Sequence, residues 1–130
     1  MEYQSDEREP SRVSDVKWII SLRGHDISSY GTNGKWLIHA QSEKIDTLWK
    51  IIALATEEGC LGNLSKVSTG ALAFTLRTGV HVICIYTYAS SDYDDVMRVR
   101  TMLYELGITS SIPYVTWTGT GQEETILYQQ

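Results

Sequence analysis

The sequence predicts an α+β fold in which two principal helices cover one face of a β-sheet. Apolar residues recur at spacings of three and four in segments 42–59 and 90–107, which is the pattern of an amphipathic helix. The rest of the chain holds short runs that favour roughly six or seven strands. Each helix has one apolar stripe, so the two together cover one face. The other face is predicted to be exposed, covered by a partner or used for binding.

The predicted strands are bounded by turn residues and are rich in β-branched and aromatic side chains. Segment 80–88 is apolar on both faces, which places it centrally in the sheet. Segment 71–77 is predicted to continue the strand before it or to pair with it, and 124–128 is predicted as an edge strand. In chain order the predicted strands are VKWIISL (16–22), KWLIHA (35–40), LSKVST (64–69), ALAFTLR (71–77), VHVICIYTY (80–88), SIPYVTW (111–117) and ETILY (124–128).

Both helices carry the residues that begin and end helices. Ser42 and Asp92 are predicted as N-terminal caps, and Gly59 and Gly107 are predicted to end the helices in a left-handed conformation. Arg98 and Arg100 flank the apolar stripe of the second helix and are expected in solvent or along its edges. The predicted stripes are Ile45, Leu48, Trp49, Ile52 and Ala55 in the first helix and Val96, Val99, Leu103 and Leu106 in the second.

Length and composition indicate a globular protein of 130 residues with 42% hydrophobic and 21% charged residues. Residues 1–13 are predicted as a flexible tail and 14–130 as a single domain. The polar start does not resemble a signal peptide, and no apolar run approaches the ~18 residues of a membrane span. Cys60 and Cys84 match no metal spacing, so we expect no metal or cofactor, and two thiols in the reducing cytoplasm.

The net charge of −5 argues against a protein that grips long duplex nucleic acid through many phosphates. It does not exclude a small phosphorylated ligand, which needs only a few local cations. The oligomeric state is not predicted.

Lys66 stands out because it interrupts a strand that otherwise reads as buried. Desolvating an ammonium group costs several kcal/mol unless it meets an anion. Side chains alternate across a strand, so Lys66 and Ser68 share one face and Val67 points to the other. If Val67 meets the helices, Lys66 and Ser68 project from the free face. The alternative is that Lys66 is an edge-strand lysine that prevents aggregation or reaches toward water.

The same alternation adds candidates from other strands. If Trp36 packs under the helices, Lys35 and His39 emerge beside Lys66. Strand 80–88 presents either Val82, Cys84, Tyr86 and Tyr88 or the intervening residues to the free face, and the sequence does not choose. The predicted ligand-binding residues are Lys35, His39, Lys66, Ser68, Tyr86 and Trp117. Amines and hydroxyls bind phosphate and aromatic rings stack on a base, so they indicate a phosphorylated, ring-bearing ligand. His39 as a structural residue and the tryptophans as core residues remain alternatives.

The segments GKWLIHA, IDTLW, ATEEGCLG, SKVST, HVICIYTY and DDVMRVRTMLYELGI together resemble the family of the basophilic leukaemia-expressed protein, over roughly residues 34–117. The resemblance implies a fold similar to the cap-binding translation initiation factors: a curved, mainly antiparallel sheet with helices on its convex face. It places no ligand residue on this chain. Where it implies a lysine after the tyrosine of PYVTW, this chain has Val115.

Three functions are consistent with these features. The leading hypothesis is binding of a nucleotide, a nucleotide-derived signal or an RNA 5′ end on the concave sheet face. Some members of the resembling family have been described as phosphothreonine lyases. This implies a second hypothesis, a phosphate-eliminating lyase or a phosphodiesterase with Lys66 as base or phosphate clamp and His39 as acid. A third is a protein-interaction module that docks a partner on the free face.

Overall fold

The computed structural model describes residues 6–25, 34–117 and 124–130 of the chain. These residues form strands and helices in mixed order. The strands are β1 (Trp18–Leu22), β2 (Gly34–Gln41), β3 (Leu64–Ser68), β4 (Val80–Tyr86), β5 (Pro113–Trp117) and β6 (Glu124–Gln129). The helices are α1 (Ser42–Glu57), α2 (Ala73–Thr78) and α3 (Tyr93–Glu105). Short 3-10 helices occupy Pro10–Arg12 and Arg23–His25.

All six strands of the described residues form one open sheet in the order β1-β3-β4-β2-β5-β6. Every neighbouring pair is antiparallel. The α+β prediction is therefore confirmed, including the central position of the strand that begins at Val80 and the edge position of the strand at 124–129.

Both long helices pack on the same face of the sheet. Trp36 of β2 and Ser65 of β3 both pair with Ile85 of β4, so their side chains share a face. The Trp36 indole Nε1 donates to the main-chain oxygen of Val96 in α3 (3.1 Å), and the Ser65 hydroxyl is 2.8 Å from that of Thr56 in α1. This is the helix-covered face. Its core includes Ile19, Trp36, Ile38, Ile45, Trp49, Ile52, Val67, Ile83, Ile85, Val96, Val99, Leu103 and Tyr114.

The helix ends follow the sequence with one exception. Asp92 caps α3, and its carboxylate accepts from the main-chain N–H of Asp95. Gly59 and Gly107 adopt the positive φ angles expected of residues that follow a helix. Ser42 is instead the first helical residue, Gln41 holds the cap position, and the Ser42 hydroxyl contacts the ring of His81.

The predicted strand at 71–77 is wrong, because Ala73–Thr78 forms helix α2. Thr75 of α2 is buried and donates a hydrogen bond to the hydroxyl of Ser68 (3.0 Å). Gly79 follows with φ of +72°, a conformation that ends helices. A short apolar run fits either period, so alternation alone could not separate the two structures.

The folded part of the chain begins before residue 14, the boundary that the sequence predicts. Pro10 and Val13 are buried, and the Ser11 N–H donates to the carboxylate of Asp46 on α1 (2.9 Å). Residues 1–5 of the predicted tail lie outside the described residues. The packed segment is short, so the polar composition of residues 1–13 as a whole gives no sign that Pro10 and Val13 are buried.

Tyr114 joins β5 to the centre of the sheet. Its hydroxyl lies 2.7 Å from that of Thr87, and its ring meets Trp36 edge-on with centroids 5.0 Å apart. Burial raises the pKa of Tyr114, so the phenol remains a neutral hydrogen-bonding group. A side chain at position 34 would reach within 1.9 Å of the Tyr114 oxygen, so only glycine fits there.

Arg100 differs from its expected place at the solvent edge of α3, because it is buried. Its guanidinium donates to the main-chain oxygens of Ile108 (2.9 Å), Ser110 (3.0 Å) and Gln130 (3.0 Å). Burial lowers the pKa of Arg100 from its ordinary value. None of the helices in the described ranges is long and apolar enough to cross a membrane.

Candidate functional site

The face of the sheet opposite α1 and α3 is the candidate site. We call it the open face and define it by the residues that alternate with the helix-covered ones: Trp18, Ile20, Lys35, Leu37, His39, Lys66, Ser68, Val82, Cys84, Tyr86 and Val115. The alternation settles the orientation of β4, which the sequence left open. Val82, Cys84 and Tyr86 belong to the open face, and the residues between them face the helices.

Lys66 occupies the middle of an interior strand. It pairs with Ile20 of β1 on one side and with Cys84 of β4 on the other. The edge-strand explanation for this lysine is therefore wrong, because β3 has no free edge at this position. Its amine needs another explanation.

The Lys66 amine rests on aromatic rings. Nζ lies 4.1 Å from the ring centroid of Trp18 and 5.8 Å from that of Tyr86. A cation over an aromatic face is stabilised by about 0.5–2 kcal/mol. Within the described part of the chain no carboxylate forms an ion pair with Lys66. The rings hold the amine in place, and among the described residues they do not neutralise its charge.

A second amine approaches Tyr86 from the opposite strand. Lys35 pairs directly with Tyr86, and its Nζ lies 5.4 Å from the ring centroid. Tyr86 therefore stands between two lysines. Past the ends of β1 and β4, the guanidinium of Arg23 lies 5.8 Å from the ring of Tyr88, which is 45% exposed and can still stack on a ligand.

Acidic residues are missing from the five strands that supply the open face. Strands β1 to β5 contain no aspartate or glutamate, although the chain has 16 acidic and 11 basic residues. The acidic residues lie instead in the helices, in the N-terminal segment, in connecting segments and, for Glu124, at the start of the edge strand β6. These strands therefore contribute cations and no carboxylates, on a protein whose net charge is negative.

The remaining predicted residues do not join Lys66. His39 is exposed on the same face but pairs with Val82, two strands and two residues away from Lys66. Strand spacing puts their Cα atoms roughly 12 Å apart. The Ser68 hydroxyl is buried and accepts from Thr75 and from the main-chain N–H of Val82 (2.9 Å). The side chain of Trp117 lies outside the described residues.

Sequence reasoning missed Trp18 and Arg23 as members of this cluster. Trp18 alternates with Ile19, which is a usable signal, but its contact with Lys66 depends on the pairing of β1 with β3. Those two strands are separated by β2 and α1 along the chain. Nothing in the local sequence reports that pairing.

The family comparison covers the same strands. The model of the family described as basophilic leukemia-expressed protein Bles03 matches residues 17–114. The chain belongs to the Bles03 family. The matched range contains Trp18, Lys35, Lys66 and Tyr86, and it ends at Tyr114. Two residues lie beyond the stretch that matches Bles03: Trp117, and Val115, which stands where the resemblance implies a lysine.

Proposed function

We propose that the open face binds a phosphorylated, ring-bearing ligand, such as a nucleotide, a nucleotide-derived signal or an RNA 5′ end. The observation that carries the proposal is the pair of amines, Lys35 and Lys66, on either side of Tyr86, on a face whose strands lack acidic residues. Phosphate oxygens accept charge-assisted hydrogen bonds from such amines.

The aromatic contacts support ligand binding in a second way. Because Lys66 lies over Trp18 and Tyr86, part of its hydration is already replaced by ring contacts. Pairing it with phosphate then costs less desolvation than pairing a fully hydrated lysine. A base stacked on an exposed ring adds about 1–3 kcal/mol.

The geometry favours binding over catalysis. A lyase or phosphodiesterase that used Lys66 as base and His39 as acid would need both within hydrogen-bond reach of one substrate. The two residues lie on strands separated by β4, and the Lys66 amine points to Trp18 on the far side from β2. We therefore propose a binding module. We also propose a cytoplasmic location, because Cys60 and Cys84 form no disulfide in the described part of the chain.

We expect the double change Lys35→Met and Lys66→Met to weaken nucleotide binding at least about 100-fold, since each charge-assisted contact is worth about 1.5–3 kcal/mol and about 1.4 kcal/mol corresponds to a factor of 10. Isothermal titration calorimetry with ATP, GTP, AMP, a dinucleotide and inorganic phosphate measures the affinities. The double change Lys44→Met and Lys50→Met on α1 removes the same charge and is expected to leave them unchanged.

Failure to detect any interaction tighter than about millimolar across this panel would contradict the proposal. Equal weakening by the control pair would also contradict it, because the effect would then come from net charge rather than from the open face. The affinity of the unchanged protein should fall as salt concentration rises.

A further inference from the structure

A second polar group lies where β2, α1 and β4 meet. It uses no side chain of the open face, and Ser68 contributes only its main-chain oxygen. Ser42, the first residue of α1, is exposed to solvent, and its hydroxyl Oγ is 3.2 Å from Nε2 of the buried His81. The next acceptor within reach of this hydroxyl, the main-chain oxygen of Gly79, is 3.5 Å away. An exposed hydroxyl is thus joined to an imidazole that is 2% exposed.

The hydrogen bonds of His81 fix its tautomer. Nδ1 lies 2.7 Å from the main-chain oxygen of Ser68, which can only accept, so Nδ1 carries the proton. In the neutral ring Nε2 is then the acceptor, and the Ser42 hydroxyl donates to it. The main-chain oxygen of Ser68 holds the ring in this orientation.

A hydroxyl, an imidazole base and a third group that orients the base are the three parts of an activated serine nucleophile. We propose that Ser42 and His81 form a nucleophile and general base for the hydrolysis of small carboxylic esters. This activity is independent of ligand binding on the open face, and neither proposal relies on the other.

Ser42 is exposed, so an ester can reach its hydroxyl from solvent. A groove of about 720 Å³ lies close by: Gln41, Lys44 and Val80, near neighbours of Ser42 and His81 in sequence, line it, whereas Ser42 and His81 themselves do not. Leu48 and Ile108 give the groove an apolar part that suits a short acyl chain, and no aspartate or glutamate lines it. The first main-chain N–H groups of a helix lack partners within the helix, so they can donate to a developing oxyanion.

The reaction balances without a cofactor. Ser42 Oγ attacks the ester carbonyl carbon while its proton passes to Nε2 of His81. The carbon–oxygen bond to the alcohol breaks, and the leaving oxygen takes that proton from Nε2. Water then attacks the acyl group on Ser42, gives one proton to Nε2, and the serine oxygen leaves with that proton as the hydroxyl is restored.

A fluorophosphonate probe and p-nitrophenyl acetate test this inference on the whole chain. Tryptic cleavage after Lys35 and Lys44 gives the peptide WLIHAQSEK, whose single serine is Ser42, so mass spectrometry assigns the label without ambiguity. We expect labelling of this peptide, and ester hydrolysis at least about 100-fold slower in Ser42→Ala, the size expected for loss of an activated nucleophile. Ser14→Ala, at another exposed serine, should hydrolyse at the unchanged rate.

His81→Gln removes the base and should lower both labelling and hydrolysis, provided that circular dichroism shows the variant to be folded. If the His81→Gln variant is unfolded, the Ser42→Ala result alone decides whether Ser42 is the nucleophile, because truncation at that exposed position should not unfold the protein. An unlabelled wild-type peptide, label on any other peptide, or hydrolysis that persists in Ser42→Ala would overturn the inference.

Discussion

Replacing Trp36 with alanine is expected to destabilise the protein by about 4 kcal/mol, the cost of truncating a large aromatic residue in a packed core. Trp36 is fully buried, meets the ring of Tyr114 and donates to the main chain of α3. Its loss opens a cavity between the sheet and that helix. For a chain of this size we expect the melting temperature to fall by roughly 15 °C in differential scanning calorimetry.

Truncation of an apolar side chain at an exposed site is the control, because it removes apolar atoms without opening a cavity in the core. Leu54 on α1 is 56% exposed, so Leu54→Ala should change the stability by no more than about 0.5 kcal/mol. Trp36→Phe keeps a ring against Tyr114 and should cost only about 1–2 kcal/mol. If Trp36→Ala cost no more than Leu54→Ala, the packing of α3 on β2 described here would be incorrect.

Replacing Arg100 with methionine is expected to cost about 3 kcal/mol, because three main-chain oxygens lose a charged donor in a buried setting. The apolar stem is retained, so packing changes little. Amide hydrogen exchange should show loss of protection at Ile112 and Gln130, whose main chains bond to each other beside the guanidinium.

Arg100→Lys should lose most of the same stability, since an ammonium group cannot donate to three oxygens in the arrangement of the guanidinium fork. Arg12→Met removes an exposed arginine whose ion pair with Glu9 spans 3.5 Å, and it should be nearly neutral. A neutral Arg100→Met would show that the guanidinium does not hold segment 108–112.

The parts of the fold that the sequence predicts best are those whose signal is local. Helices α1 and α3 each combine a long apolar period with terminal signals, and both are confirmed. Helix α2 has six residues, too few for its period to be distinguished from strand alternation. Arg100 could not be assigned from the helix alone, because its acceptors belong to segments that follow α3 in the chain.

The residues of the candidate site likewise separate into those with a local sequence signal and those whose place depends on distant segments. The position of Lys66 on the face away from the helices follows from alternation with Val67, which is local. Its partner Trp18 belongs to a strand that reaches β3 only through the sheet order. Ser68 lies on the predicted face, but its hydroxyl is occupied by a hydrogen bond from Thr75 of α2 and is not available to a ligand. Alternation did not predict that helix.

Binding of a phosphorylated ligand on the open face depends on charge separation between the two sides of the sheet. Helix α1 and the N-terminal segment hold many of the acidic residues, whereas the charged side chains that β1 to β5 supply to the open face are all cations. Positive charge concentrated in this way attracts a small anion even when the whole chain is acidic.

The most direct test is an NMR titration with ATP that follows the indole N–H signals of the four tryptophans. We predict saturable shifts at the Trp18 indole and at the amides of Lys66 and Tyr86, with a dissociation constant below about 1 mM. The indole signals of the buried Trp36 and Trp49 should not move. The Lys35→Met and Lys66→Met protein should lose these shifts. Shifts that persist in that variant, or that appear at Trp49 instead of Trp18, would contradict the account.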